Sequence, residues 1–412
     1  MNTISAPVAF AAAFTVATIV WGVQSVARAQ DNANDLTLQP LGSVPTELDD
    51  GGSYIPSTPE SVMWGSLPNR DTRALWSVAS GSVVTFDTVS HEGILEDQGR
   101  DPERYFAGHG ISPDAILDDA KAIAASSLTH DFDADGPHVV TGPVAVEGAE
   151  PGDVLKIEVL ELLPRVPYGV ISNRHGKGAL AGEFPENNGP QAEASAERPE
   201  LYNNVSIFTW IEDVGGVSSA LLHNASGEEI RFGIDPFMGI MGVAPDTSEP
   251  VHSVPPAEYG GNLDINELGV GATLYLPVQV PGALFYAGDP HYAQGDGEVA
   301  LTALEAPLRA TFRLTVLKEG DDEIPGGSPF DQPFAETEEY WIPIGLDPDL
   351  DEAMKEAVRE GIDFLSHSLG LERAVALAYM SAATDFEVSQ VVDRTKGVHG
   401  LIRKSDFAAI AP

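Results

Sequence analysis

The chain has 412 residues, 63 of them acidic and 22 basic, for a formal charge of −41, and it contains no cysteine. An apolar content of 43% over that length can bury a large core, which excludes disorder as the default. The charge offers no surface to a phosphate backbone and repels anionic lipid, excluding nucleic-acid and membrane-surface partners, while the lack of cysteine excludes disulfides, thiolate metal sites and cysteine nucleophiles.

In chain order, Ala6 to Val23 is almost wholly apolar and runs into Ala27-Arg28-Ala29, the small-x-small pattern of a signal-peptidase site. Residues 1–29 therefore read as a signal peptide cleaved after Ala29, with an uncleaved anchor as the alternative. An acidic, exported chain suits a salty exterior, where screening relieves self-repulsion. Residues 30–60, rich in Asp, Gly, Pro, Ser and Thr, read as a linker. From about Ala74 come short β-branched runs: Ser82 to Phe86, Val154 to Val159, Ala272 to Val278 and Ala310 to Val316. With 41 Gly and 31 Pro to make tight turns, they predict an α+β, β-dominated fold of antiparallel sandwich or barrel-like strands.

Helices are fewer. Pro113 and Asp114 suit the first turn of a helix over Ser112 to Ser126. The longest is expected near the C-terminus. Asp347 or Asp349 caps a run whose apolar residues Leu350, Met354, Val358, Ile362 and Leu365 recur at helical spacing, ending near Gly370. A shorter helix follows over Glu372 to Met380. No repeat of fixed period is present. The expected organisation is a β-rich core over 61–345 and a C-terminal helical segment with a closing strand over 346–412, packed on that core.

The densest polar cluster is Gly288-Asp289-Pro290-His291-Tyr292-Ala293-Gln294-Gly295-Asp296-Gly297-Glu298. On a strand, side chains two apart share a face, so Asp289 with His291 and Asp296 with Glu298 form two potential chelating pairs. Carboxylate plus neutral imidazole suits Zn²⁺ or a similar ion, and the glycines permit a sharp backbone path. The alternative is a solvated turn. Tyr259-Gly260-Gly261-Asn262-Leu263-Asp264 and Ser90-His91-Glu92-Gly93 could line the same pocket, and the basic loop Arg174-His175-Gly176-Lys177-Gly178 could orient a polar substrate or an oxyanion. Thr129 to Gly136 imitates the start of a calcium loop, but Gly142 stands where a bidentate Glu is needed, so an EF-hand is rejected. His223, His252, His367 and His399 read as structural or surface groups.

Thr141-Gly142-Pro143-Val144-Ala145-Val146-Glu147-Gly148-Ala149-Glu150-Pro151-Gly152-Asp153-Val154-Leu155 resembles the central signature of the acetamidase/formamidase family. So do Gly242 to Asp246, the Gly260 to Asp264 turn, the run from Gly288 to Glu298 followed by Ala303-Leu304-Glu305, and Ser389 to Gly400. The resemblance spans about residues 60–410. It implies that 61–345 is a catalytic core, a metal-assisted hydrolase of short linear amides that releases ammonia and a carboxylate and assembles as a homo-oligomer. With the spacing above, it assigns Asp264, Asp289 and His291 to a divalent metal ion and Glu298 or Glu147 to acid/base work. Glu305 and Asp296 are reserve ligands, and His91 and Lys177 orient the substrate or an oxyanion. Zinc is the expected ion, with calcium and manganese also served by such donors.

Family members tend to carry an Asp where this chain has Ser90 and His91, and familiar members are cytoplasmic, so a different or larger amide is implied. A serine mechanism lacks its Gly-x-Ser-x-Gly elbow. The competing class is an exported solute-binding or carbohydrate-binding β protein without turnover.

Overall fold

Runs of Val, Ile, Phe and Thr pair edge to edge because branched and aromatic side chains pack well on a pleated surface. In the computed structural model, which describes residues 33, 36–326 and 331–410, these runs build two large, mainly antiparallel sheets. The expected export segment lies outside the described residues. One sheet is centred on the long pair Val154–Pro164 and Leu308–Leu317, flanked by Ser82–Asp87 and Thr273–Pro277. It continues through Phe334–Glu336 and Tyr340–Asp347 to the hairpin Asp385–Gln390 and Lys396–Arg403. The second sheet has Phe285–Ala293 at its heart, paired with Val139–Val146, Phe237–Gly242 and Leu304–Glu305.

The inner faces of the two sheets share one apolar core. Phe86 and Phe312 from the first sheet meet Phe285 from the second, all edge-on, with ring centroids 5.4 to 5.9 Å apart, the arrangement aromatic quadrupoles favour. The expected sandwich is thus present, and neither sheet closes into a barrel. Within 30–60, expected as a linker, Ser53–Ile55 is a buried strand lying parallel to Ser82–Asp87. Three residues are too few to show a strand period in sequence.

The long helix, Leu350–Leu369, starts as expected: the Asp349 carboxylate accepts from the backbone N–H of Asp351 and Glu352, and the helix stops at Gly370 with φ 65°. Its face is rotated from the expected one. Ala353, Ala357, Gly361, Phe364 and Leu365 are buried, while Leu350, Met354, Val358 and Ile362 are only partly covered. Gly345 explains the rotation, since a Cβ there would stand 2.1 Å from the Ala353 carbonyl. The helix backbone lies directly on the strand, and only small side chains fit between. The expected helix over Ser112 to Ser126 is instead one turn, Pro113–Ala115, and a helix, Asp118–Ala125. Ile116 and Leu117 between them are extended, their side chains drawn into the apolar cluster of Phe106, Val166 and Trp210. Arg373–Ala383 forms the last helix. No described helix is long and apolar enough to cross a membrane.

Glu360 on the long helix illustrates the cost of packing acids together. Burial, then Asp363 and Glu356, push its carboxyl up to about 7. The unfolded chain releases this proton near pH 4.5 and the folded chain near 7, so the destabilisation grows through that window and is complete above it. Glu360→Gln is expected to melt at a higher temperature than the parent at pH 8, with the gap closing as the pH falls to 4.5. Equal melting temperatures at pH 8 would contradict the assignment.

Candidate metal centre

The central strand Phe285–Ala293 carries the first part of the site. Gly288 is required there because a Cβ would stand 2.6 Å from the Val139 carbonyl. The next residue, Asp289, sits at φ 52°, Asp264 at φ 51° and Glu298 at φ 45°. Left-handed backbone is tolerated by Asp and is costly for Glu. This backbone turns Asp289 out of regular strand alternation and lets Asp264 and Glu298, both in loops, aim at the same point. Gly239, on the neighbouring strand, leaves the space: its Cβ would fall 2.5 Å from Asp264 Oδ1, 2.8 Å from His291 Cε1 and 2.9 Å from Asp289 Oδ2.

Asp289 is the hub. Its Oδ2 lies 3.2 Å from His291 Nε2 and 3.5 Å from His138 Nε2, and its Oδ1 lies 3.5 Å from His91 Nδ1. His291 Nε2 is 3.0 Å from Glu305 Oε1, and His291 Nδ1 is 3.8 Å from Asp264 Oδ1. His91, His138, Asp264, Asp289, His291, Glu298, Glu305 and Asp393 are all buried. A cavity of about 420 Å³ is lined by His91, His138, Asp289, Glu298, Glu305 and Asp393, with Asp264 and His291 behind Asp289 and with Lys177 and Arg394 as exposed cations on its wall.

Surrounding groups fix the cluster. Glu92 Oε1 faces His91 Nε2 at 3.3 Å, and Glu92 is itself held by Arg174 Nη2 at 2.8 Å, by the Ser172 hydroxyl at 2.7 Å and by Gln98. Burial alone would raise the Glu92 carboxyl, but the Arg174 guanidinium and His91 bring it down to about 2. Arg174 also binds Asp97 at 2.8 Å. His138 Nδ1 meets the Ser253 hydroxyl at 3.0 Å.

The remaining charges are in conflict. Burial opposes the charged form of His291 and His91, yet Glu305 and other neighbouring carboxylates push His291 well up and His91 to about 10. Burial and the other imidazoles hold His138 down to about 4. Burial, then Asp393, raises Asp264; burial, then Asp264, raises Glu298; burial, then Glu298, raises Asp393. Asp289 is driven well down against its burial by His138 and His291. These carboxylates and imidazoles compete for too few protons.

The donors fit a divalent cation. His91, His138 and Asp289 offer ligand atoms mutually within 4.8 Å, as do Asp264, Asp289 and His291, and Asp289 belongs to both sets. His291, Glu298 and Glu305 form another such set, and Asp264, Glu298 and Asp393 a fourth. Both nitrogens of His91 and His291, both carboxylate oxygens of Asp264, and single oxygens of Asp289 and Glu305 are buried without a hydrogen-bond partner. Groups so costly to desolvate are ordinarily satisfied. Imidazole and carboxylate donors suit Zn²⁺.

Of the residues singled out in sequence, Asp264, Asp289, His291, Glu298 and Glu305 converge here, and His91 stands among the ligand candidates rather than at a distance from them. Lys177 lines the same cavity. Glu147 stands exposed on the turn after Val139–Val146 and is not among the cavity residues. Asp296 is also exposed and faces away, toward Glu387, Glu267 and His399. The alternation expected for Asp296 and Glu298 fails because residues 294–299 form a turn, not a strand. His138 and Asp393 were missed. His138 directly precedes the strand Val139–Val146, a position that could have flagged it, whereas Asp393 has no local signal.

The family model described as the Acetamidase/Formamidase family matches residues 118–250 and 247–402. The formamidase of Methylophilus methylotrophus is 26% identical over 244 residues, 51% of this chain and 59% of that protein. The acetamidase of Mycolicibacterium smegmatis is 27% identical over 199 residues, 39% of this chain and 49% of that one. The chain thus spans about half the length of the curated relatives it matches. In three dimensions, a Bacillus halodurans acetamidase superposes with a TM-score of 0.65 at 25% identity, covering 87% of this chain and all of that one. An acetamidase from Yersinia enterocolitica, at 21% identity and TM-score 0.64 over 89% and 96% of the two chains, has the same fold. With the matched segments running from the helix Asp118–Ala125 through the central strand to the C-terminal hairpin, the chain belongs to the acetamidase/formamidase family.

Proposed function

We propose that the protein is a metal-assisted amidohydrolase that cleaves the carbon–nitrogen bond of small linear amides to give ammonia and a carboxylate. The carrying observation is Asp289, shared by two buried ligand sets at the base of an open cavity, supported by family membership. Asp289, His91, His138, Asp264 and His291 would hold the ion, which when bound polarises a carbonyl and brings water toward ionisation near neutral pH.

Amides resist hydrolysis because the nitrogen lone pair is delocalised and the departing nitrogen must gain a proton. Glu298 and Glu305 both line the cavity beside the ligand sets, so either carboxyl can carry a proton between water and that nitrogen. Arg174 and Glu92 are positioning residues: the Arg174–Glu92–His91 chain fixes the imidazole ring, as outer partners of metal-binding histidines do. Lys177 and Arg394 on the wall suit a polar group of the substrate remote from the scissile bond. A cavity of about 420 Å³ accommodates amides larger than formamide. We further read the protein as exported and homo-oligomeric, with N-terminal sequencing of the mature chain and light scattering as the checks.

The test is ammonia release from formamide, acetamide and propionamide, before and after chelation. Turnover that disappears with the chelator and returns with Zn²⁺ supports the reading. Undiminished turnover in fully stripped protein refutes the metal role, and amide binding without ammonia supports a binding protein instead. His291→Ala is expected to lose both bound metal and ammonia release, checked by elemental analysis beside the assay.

A further inference from the structure

We infer that a second cation site, separate from the cavity, is formed by Glu267, Glu387 and His399, and that it takes a divalent transition ion such as Zn²⁺. Their ligand atoms lie mutually within 4.8 Å. His399 Nε2 is 3.0 Å from Glu267 Oε2 and 3.7 Å from Glu387 Oε2. None of the three lines the cavity.

His399 supplies the independent observation. Its side chain is 0% exposed, and its Nε2 is buried without a hydrogen-bond partner while pointing at the two carboxylates. The other ring nitrogen, Nδ1, is held by the Ser389 hydroxyl at 2.8 Å, which fixes the ring as a second partner typically does for a metal-bound imidazole. Glu267 Oε2 is likewise buried with no hydrogen-bond donor oriented on it, and faces His399 Nε2. The positions are enforced by the backbone: Glu387 and His399 are direct cross-strand neighbours in the C-terminal hairpin, and Glu267 follows the turn that carries Asp264. Asp296 completes the surroundings as a third carboxylate, influenced by Glu387 and Glu267. One imidazole among carboxylates favours zinc or manganese over calcium or magnesium, which take oxygen donors.

The location gives the ion a task. The Gly297 N–H donates to the Ser389 carbonyl at 3.1 Å, the Val391 N–H to the Gly297 carbonyl at 3.3 Å, and Gln294 Nε2 to the carbonyls of both Asp264 and Ser389. An ion at His399 would tie Glu267, just beyond Asp264, to the hairpin that carries Ser389 and leads into Asp393, the two segments to which the turn bearing Glu298 is itself hydrogen-bonded.

Wild-type protein, Glu267→Gln/Glu387→Gln and His291→Ala are stripped with chelator, equilibrated with Zn²⁺ and analysed for zinc per chain. The double variant is expected to hold one zinc fewer than wild type, and His291→Ala to keep that zinc while losing cavity metal. Equal zinc in wild type and a folded double variant overturns the site, leaving an imidazolium paired with two carboxylates. If the double variant does not fold, anomalous scattering at the zinc edge from wild-type crystals grown with Zn²⁺ decides. A peak beside His399 Nε2 is expected, and its absence overturns the inference. Amide turnover enters neither readout, so failure here leaves the proposed hydrolysis standing.

Discussion

Replacing Asp289 by asparagine is expected to lower ammonia release by at least ~10³-fold and to strip the cavity of metal, because a bound ion contributes several kcal/mol to stabilising the reaction and each factor of ten costs about 1.4. Asparagine is the informative choice. It matches aspartate in size and, like it, tolerates the left-handed backbone found at φ 52°, so the fold should be retained while the anionic hub among His91, His138 and His291 is removed. Metal content and turnover should fall together while the circular dichroism spectrum stays unchanged. A variant that keeps its metal and most of its activity would show that Asp289 is a spectator.

The largest effect on stability is expected at Arg165. This side chain is wholly buried, and its guanidinium binds Asp119 Oδ2 at 2.8 Å, the Thr88 carbonyl at 2.9 Å and the Leu38 carbonyl at 3.0 Å, with Asp87 Oδ2 at 3.5 Å. Asp87 has other partners in Arg309 and Tyr54. Among the described residues Asp119 retains the Ser57 hydroxyl and the Ala120 backbone N–H, so Arg165→Met leaves it as a buried charge with no cation to compensate it. A loss of about 3–5 kcal/mol is expected, read as a lowered urea midpoint with an unchanged slope. Adding Asp119→Asn should recover part of it, because the stranded charge disappears. Purely additive losses in the two variants would mean that the pair is not coupled.

These outcomes bear on how far the chain could be read in advance. Strand-forming runs such as Ser82 to Phe86 and Val154 to Val159 were plain because β-branched residues are concentrated there, and the capped start at Asp349 was plain because capping is local. Asp289 with His291 was legible as a pair two apart. What escaped was set by tertiary contact. Gly345 seats the long helix on its small residues, and no periodicity announces that. Ile116 and Leu117 interrupt a helical pattern because the core takes both side chains. His138 and Asp393 join the site from segments more than 250 residues apart, and Gly239 matters for the side chain it lacks. Asp296 and Glu298 face opposite ways because the glycines between and beside them make a turn where alternation has no meaning.

The closing hairpin has a consequence for biogenesis. Asp393 and the backbone carbonyl of Ser389 that fastens Gly297 both lie about 300 residues downstream of His91. During synthesis the pocket therefore stays incomplete until about 300 residues beyond His91 have emerged, and a chain stopped short of Ser389 would be an unarmed precursor whatever the quality of its β sandwich. Contacts of such long sequence separation form late, so competence should trail the burial of the apolar interior in a refolding time course.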